Sequence, residues 1–191
     1  MVNRPTTAVI FPCCAIIGLC LAATSSPALA ADEPANTVVF VGVSGLQTTN
    51  LRHEIQAGVH IGFTAALDCQ MSDWFGIAGE VGGNYETLVF ADKSKFYSRF
   101  VTMAAGPEIF HRVGRVTPFV QVLAGLAVMR GGRSESFRAN DGGFVVQPGL
   151  GLDVWISKSV GLRAEADYRR LSTTNAHDDQ YRGSAGVVIG W

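Results

Sequence analysis

The segment GLRAEADYRRL, residues 161–171, sets Leu162, Ala164, Ala166 and Tyr168 on one side of an extended chain and Arg163, Glu165, Asp167 and Arg169 on the other. One face is apolar and the opposite face is wholly charged. Two architectures accept that pattern: a soluble antiparallel sheet that turns its charges to water, and a membrane barrel that turns them into its lumen. The flanking segments decide between them.

Working outward, residues 181–191 alternate Tyr181, Gly183, Ala185, Val187, Ile189 and Trp191 against Arg182, Ser184, Gly186, Val188 and Gly190. Residues 116–128 set Val116, Pro118, Val120, Val122, Ala124, Leu126 and Val128 against Thr117, Phe119, Gln121, Leu123, Gly125 and Ala127. Phe144, Val146, Leu150, Leu152 and Val154 likewise oppose Gln147, Gly149, Gly151 and Asp153. Each apolar stripe is longer than one face of a soluble sandwich needs, and several reach the about 9–11 residues that cross a bilayer at a tilt. The opposite faces are small or polar: Gly58, His60, Gly62 and Thr64; Gly76, Ala78, Glu80 and Gly82; Thr102, Ala104, Gly106 and Glu108. Lipid is the natural partner of the apolar stripes.

Period two persists through the chain after Asn36, and eight strands are predicted at 36–46, 55–67, 74–86, 96–111, 116–130, 143–155, 159–171 and 181–191. The segments 47–54, 87–95, 131–142 and 172–180 are long and polar, whereas CQMSDW (69–74), VGR (113–115) and SKS (157–159) are short. Long loops at one end and tight turns at the other are the wiring of an up-and-down transmembrane barrel with its turns in the periplasm. The expected fold class is therefore all-β: an eight-stranded antiparallel up-and-down transmembrane β-barrel.

Composition agrees. The chain has 191 residues, 48% apolar side chains, 22 glycines and a formal net charge of −1. That is one domain's length without the basic footprint that grips phosphodiester backbones, so nucleic acid is not an expected partner. Arg4, the apolar run from Ala8 to Ala23 and the small residues ending SSPALA read as a signal peptide cleaved after Ala30 or Ala31. Cys13, Cys14 and Cys20 would leave with it, so Cys69 is expected as a lone thiol in a short turn, without an internal disulfide. Downstream there is no sustained helical period and no apolar run of about 18 residues.

The stretches DWFGIAGEVGGNY (73–85), GRVTPFVQVLAGLAVMRGG (114–132), FVVQPGLGLDVWISKSVGLRAEADYRR (144–170) and RGSAGVVIGW (182–191) resemble the eight-stranded outer-membrane β-barrel domains of Gram-negative bacteria, the small OmpA/OmpX type. The resemblance implies a signal peptide over 1–30, a single outer-membrane barrel domain over 31–191 and location in the outer membrane. Such barrels end in an aromatic residue preceded by alternate apolar ones. Tyr181, Val187, Ile189 and Trp191 repeat that pattern, which implies recognition by the barrel assembly machinery and periplasmic chaperones. The chain is expected to be a monomer embedded in outer-membrane lipid.

No catalytic, metal or cofactor constellation emerges. None of His53, His60, His111 and His177 has metal-ligand spacing. Ser172, His177 and Asp178 form a possible nucleophile set, but a polar loop of that composition is more often only solvated. PGLGLD (148–153) lies inside an alternating strand with no helix after it, so its glycines relieve crowding in the lumen rather than cradle a phosphate. Trp74, Tyr85, Tyr97, Trp155, Tyr168 and Trp191 fall near strand ends and read as interfacial girdles. An eight-stranded lumen is filled by side chains, so Glu80, Glu108, Arg163, Glu165, Asp167, Arg169 and Arg182 are expected to interlock there, with Arg163 as the hub. The expected function is a small outer-membrane barrel with a structural, envelope or surface-loop role, no catalysis and at most weak solute conduction. A secreted or periplasmic lipocalin-like barrel around an apolar ligand is the alternative, and it requires the charged face to point to solvent.

Overall fold

The computed structural model describes residues 36–48, 60–89, 95–132, 139–172 and 177–191. They form one closed barrel of eight antiparallel strands in sequence order: β1 (Thr37–Thr48), β2 (His60–Gln70), β3 (Phe75–Val89), β4 (Lys95–Phe110), β5 (Val116–Gly132), β6 (Ala139–Trp155), β7 (Val160–Ser172) and β8 (His177–Gly190). Closure comes from β1 and β8, paired from Val38↔Gly190 to Thr48↔Gln180. At the seam Asn36 and Thr37 both donate backbone N–H to Trp191 O, and Trp191 N–H returns to Thr37 O at 3.1 Å. Among the described residues no helix is long and apolar enough to cross a membrane, a statement that does not bear on strands.

The three described turns lie at one end of the barrel and each is closed by local hydrogen bonds. Val113 and Val116 exchange backbone bonds of 2.7 and 3.0 Å around Gly114 and Arg115. This two-residue connection requires a positive φ at its first central position, and Gly114 supplies φ +60°. At the other two turns a serine does the work: Ser72 Oγ accepts from Phe75 N–H at 3.1 Å, and Ser157 Oγ accepts from Val160 N–H at 3.0 Å.

Side-chain alternation divides the wall cleanly. Val41, Val43, Ile61, Phe63, Ile77, Ile109, Val120, Val122, Leu126, Leu150, Leu162, Val187 and Ile189 stand exposed on the outside. The inside holds the charged residues. This polarity is the reverse of a calyx, so the lipocalin-like alternative is set aside: Arg163, Glu165, Asp167 and Arg169 face inward and are buried. The lumen is tight enough that glycine is required where strands bend toward it. A Cβ at Gly125 would collide with Met103 O, and one at Gly106 with Val122 O. Gly149 and Gly151 within PGLGLD leave room for Asp167 and for the Phe119 ring, as crowding relief requires.

Several expectations are adjusted. β2 runs through Asp68 to Gln70, so Cys69 lies on a strand, half-buried, rather than in a turn. Cys13, Cys14 and Cys20 lie outside the described residues. β6 and β8 begin at Ala139 and His177, each four residues before the sequence reading. Trp155 is not part of an outward girdle. It is half-buried against Val38, Phe40 and Val188, and its indole N–H donates to Thr117 Oγ1 at 3.2 Å. The expected leader (1–30), Gly58 and His53 lie outside the described residues.

Candidate functional site

The interior is built in three layers. At the turn end, Val38, Phe40 and Val188 cluster with Trp155 against them, and Phe110 lies opposite Phe119 in the β4–β5 register. From the loop end, Leu46, Phe100, Leu123, Ala127, Val145 and Leu171 form the larger apolar cluster, which Ala78 and Ala104 extend to the register positions beside Asp68 and Glu80. Between them lie Asp68, Glu80, Glu108, Asp153, Glu165 and Asp167 with Arg163, Arg169 and Arg182, each 5% exposed or less. Charges at that depth persist only if paired and hydrogen-bonded.

The pairing forms two groups. In the upper one, Arg182 Nη1 donates to Glu80 Oε1 at 2.8 Å and to Thr64 Oγ1 at 3.1 Å, while Nη2 meets Glu80 Oε2 and Glu165 Oε1, the latter at 3.2 Å. Its Nε donates to Asp167 Oδ2 at 2.9 Å. Arg169 adds a 2.9 Å bond to Glu80 and a 3.6 Å ion pair with Asp167. Gln147 and Gln121 complete the shell, donating to Glu80 Oε1 at 3.3 Å and to Glu165 Oε1 at 2.7 Å. In the lower group, Arg163 forms a fork to Asp153 with bonds of 2.6 and 2.8 Å and an ion pair to Asp68 at 2.8 Å. Its guanidinium lies 4.4 Å from the Phe119 ring centroid and 5.3 Å from that of Phe40.

Six of the seven expected lumen residues therefore enter ion pairs: Glu80, Arg163, Glu165, Asp167, Arg169 and Arg182. Among the described residues Glu108 enters none, and its buried Oε2 has no hydrogen-bond partner there. The hub is Arg182, not Arg163. Arg163 is the fourth residue of β7 and sits low in the barrel, whereas Arg182 lies near the middle of β8, opposite Asp167 and level with Glu80 across the lumen. Asp68, Thr64, Gln121, Gln147 and Asp153 belong to the network but were not assigned to it. For Asp68 the signal was present in the alternation Thr64, Ala66, Asp68, which a strand ended at residue 67 cuts off.

The remaining candidates are dispersed. Ser172 and His177 are register partners and their Oγ and Nδ1 are 3.2 Å apart, but Asp178 faces the other side of β8, where Gln180 donates to it at 2.9 Å. No Ser-His-Asp relay is assembled there. Tyr181, Val187, Ile189 and Trp191 all stand exposed on the outer face of the terminal strand or just past it. Among the described residues no group of three or more His, Cys, Asp or Glu side chains is arranged to hold a metal ion.

A family model described as outer membrane protein beta-barrel domain matches residues 16–191. The fold is similar to that of Neisserial surface protein A, at 10% identity and a TM-score of 0.68, covering 84% of this chain and 100% of that one. It is similar also to Ail, the attachment invasion locus protein of Yersinia pestis, at 12% identity and a TM-score of 0.57, covering 82% and 100%. OprG of Pseudomonas aeruginosa aligns at 8% identity and a TM-score of 0.55, covering 84% and 97%. At such identities the likeness concerns the fold alone. No curated protein matches the sequence significantly.

Proposed function

The chain belongs to the outer membrane protein β-barrel domain family and resides in the outer membrane, and on that premise we propose that it is a non-catalytic integral barrel that supports the envelope or presents its loops outside, conducting solutes weakly if at all. The observation that carries this reading is the layered lumen. The Arg169 and Arg182 side chains are 0% exposed among their carboxylate partners, with apolar clusters beside them, and a lumen of eight strands filled in this way supports weak conduction at most. The connections between β1 and β2, β3 and β4, β5 and β6, and β7 and β8, with the strand ends that lead into them, would then be the surface available to partners outside the cell. The proposed partners are outer-membrane lipid around the wall, and periplasmic chaperones and the barrel assembly machinery during biogenesis. The latter would read Tyr181, Val187, Ile189 and Trp191. The barrel is taken to act as a monomer.

Planar-bilayer recording on purified protein tests the conduction half. The expected trace shows no stable openings of porin size, and a sustained large conductance would refute the sealed lumen. Folding in detergent is scored in parallel by the shift in gel migration between unheated and boiled samples, so that silence cannot be mistaken for misfolding.

A further inference from the structure

The outer wall is not uniform along the barrel axis. Its apolar band is interrupted about ten residues above the turn end of the strands, by Tyr85 on β3, Arg99 on β4, Tyr168 and Arg170 on β7, and Tyr181 on β8. Ten residues of strand at about 3.3 Å each, tilted by about 40°, rise about 25 Å, the height of a barrel's lipid-facing band. These residues therefore mark its upper edge, on the side of the long loops. At the lower edge the outward residues are Ile109, Val154, Val160 and Ile189, without charge.

Arg99 is the most informative of the set. It is exposed, and immediately below it on the same outer face are Val101 at 40% and Met103 at 37% exposure, so an apolar, lipid-facing wall begins directly beneath it. Its guanidinium lies 5.9 Å from the ring centroid of Tyr85, its register partner on β3. The aromatic face orients the guanidinium and leaves its N–H groups available. Among the described residues no carboxylate pairs with Arg99. Around the barrel, Arg170 repeats the theme above Tyr168, beside Asp179, which already accepts the Tyr168 hydroxyl at 2.6 Å.

We propose that Arg99, held against Tyr85, is the centre of a binding site for the phosphate of an outer-leaflet lipid head group, with Arg170 a second such contact. The inference rests on the outer-membrane reading, which places the long loops outside. A guanidinium at the band edge meets head groups, and a planar fork of donors matches phosphate oxygens. The apolar wall below Arg99 would accommodate the acyl chains of the same molecule, which commits the site to a lipid rather than to free phosphate.

The test uses the membrane-isolated protein in phosphatidylcholine bilayers that carry a minor fraction of diphosphorylated or dephosphorylated lipid A. Lipid that stays bound after mild detergent extraction is counted by mass spectrometry. The expected result is preferential retention of the phosphorylated form, reduced about fivefold in R99Q and by a further similar factor in R99Q/R170Q. R99K should retain an intermediate preference. Equal retention of the two lipids by inserted wild-type protein, or an unchanged preference in R99Q, would overturn the assignment. Displacement of the lipid by equimolar inorganic phosphate would overturn the commitment to lipid. Failure to float with the bilayers would instead remove the outer-membrane reading on which the inference stands.

Discussion

Truncating Arg182 to alanine is expected to be the most damaging single change in the lumen. It removes the contacts to both oxygens of Glu80 and both of Asp167, the 3.2 Å contact to Glu165 and the 3.1 Å bond to Thr64. What remains is unevenly shared. Glu80 keeps Arg169 at 2.9 Å and Gln147, Asp167 keeps Arg169 at 3.6 Å, and Glu165 keeps only Gln121 at 2.7 Å. Three buried carboxylates would then face one guanidinium. Breaking a buried pair from one side costs about 3–5 kcal/mol, and the contacts retained by Glu80 place R182A near the middle of that range, about 4 kcal/mol. With a urea slope of about 2 kcal/mol per molar, the unfolding midpoint in lipid or detergent should fall by about 2 M. The midpoint is read by loss of the fast-migrating form on unheated gels and by tryptophan fluorescence. Adding E165Q to R182A should recover part of the loss, because Glu165 is the carboxylate left with the fewest partners. A midpoint within about 0.3 M of wild type, or a double variant weaker than R182A, would mean that water screens the interior and that the layered description is wrong.

Arg163→Ala should cost about 3–5 kcal/mol by the same reasoning, since Asp68 and Asp153 lose their cation, and its urea midpoint should not be rescued by E165Q, which belongs to the upper group. Gly125→Val should lower folding yield and cost at least about 1–3 kcal/mol in urea titration because its side chain would collide with Met103 O, whereas Gly183→Ala, with nothing near its added Cβ, should stay within about 0.5 kcal/mol of wild type. Truncating the Trp191 side chain to alanine, which keeps its backbone bonds to Asn36 and Thr37, should sharply reduce the amount of barrel recovered from outer membranes while changing the stability of protein already inserted by less than about 1 kcal/mol, because the indole is 54% exposed. Equal recovery of this variant would remove Trp191 as an assembly signal.

The architecture was legible because each strand carries its own inside and outside. GLRAEADYRRL shows which of its residues share a face, and the apolar stripes of β8, β5 and β6 decide that its charged face is the lumen. Strand ends were less legible where the chain rises past the lipid edge: Ala139–Gly142 and His177–Gln180 are paired, yet the apolar outward stripe that marks a strand has ended there. The network's membership could be read strand by strand, but its hub could not. Whether Arg182 or Arg163 meets Glu80 depends on the stagger between β8 and β3, a property of the closed ring that no single strand records. Trp155 shows the same limit: its position at a strand end suggested the lipid interface, while its parity with Asp153 turns it inward.

The seam between β1 and β8 has a consequence for how the molecule comes into being. Every interior strand can find a neighbour as soon as the next hairpin folds, but the outer edge of β1 stays unsatisfied until β8 arrives, and these are the first and last strands of the sheet. A partly assembled chain is thus a curled ribbon with two open edges and an apolar outer side, a template for pairing with other chains. Closure makes the longest-range contacts in the sequence and makes them late, so folding is slow in the sense that topology dictates and gains much of its cooperativity in that final step. Loss of either terminal strand would leave a ribbon prone to aggregation rather than a smaller barrel.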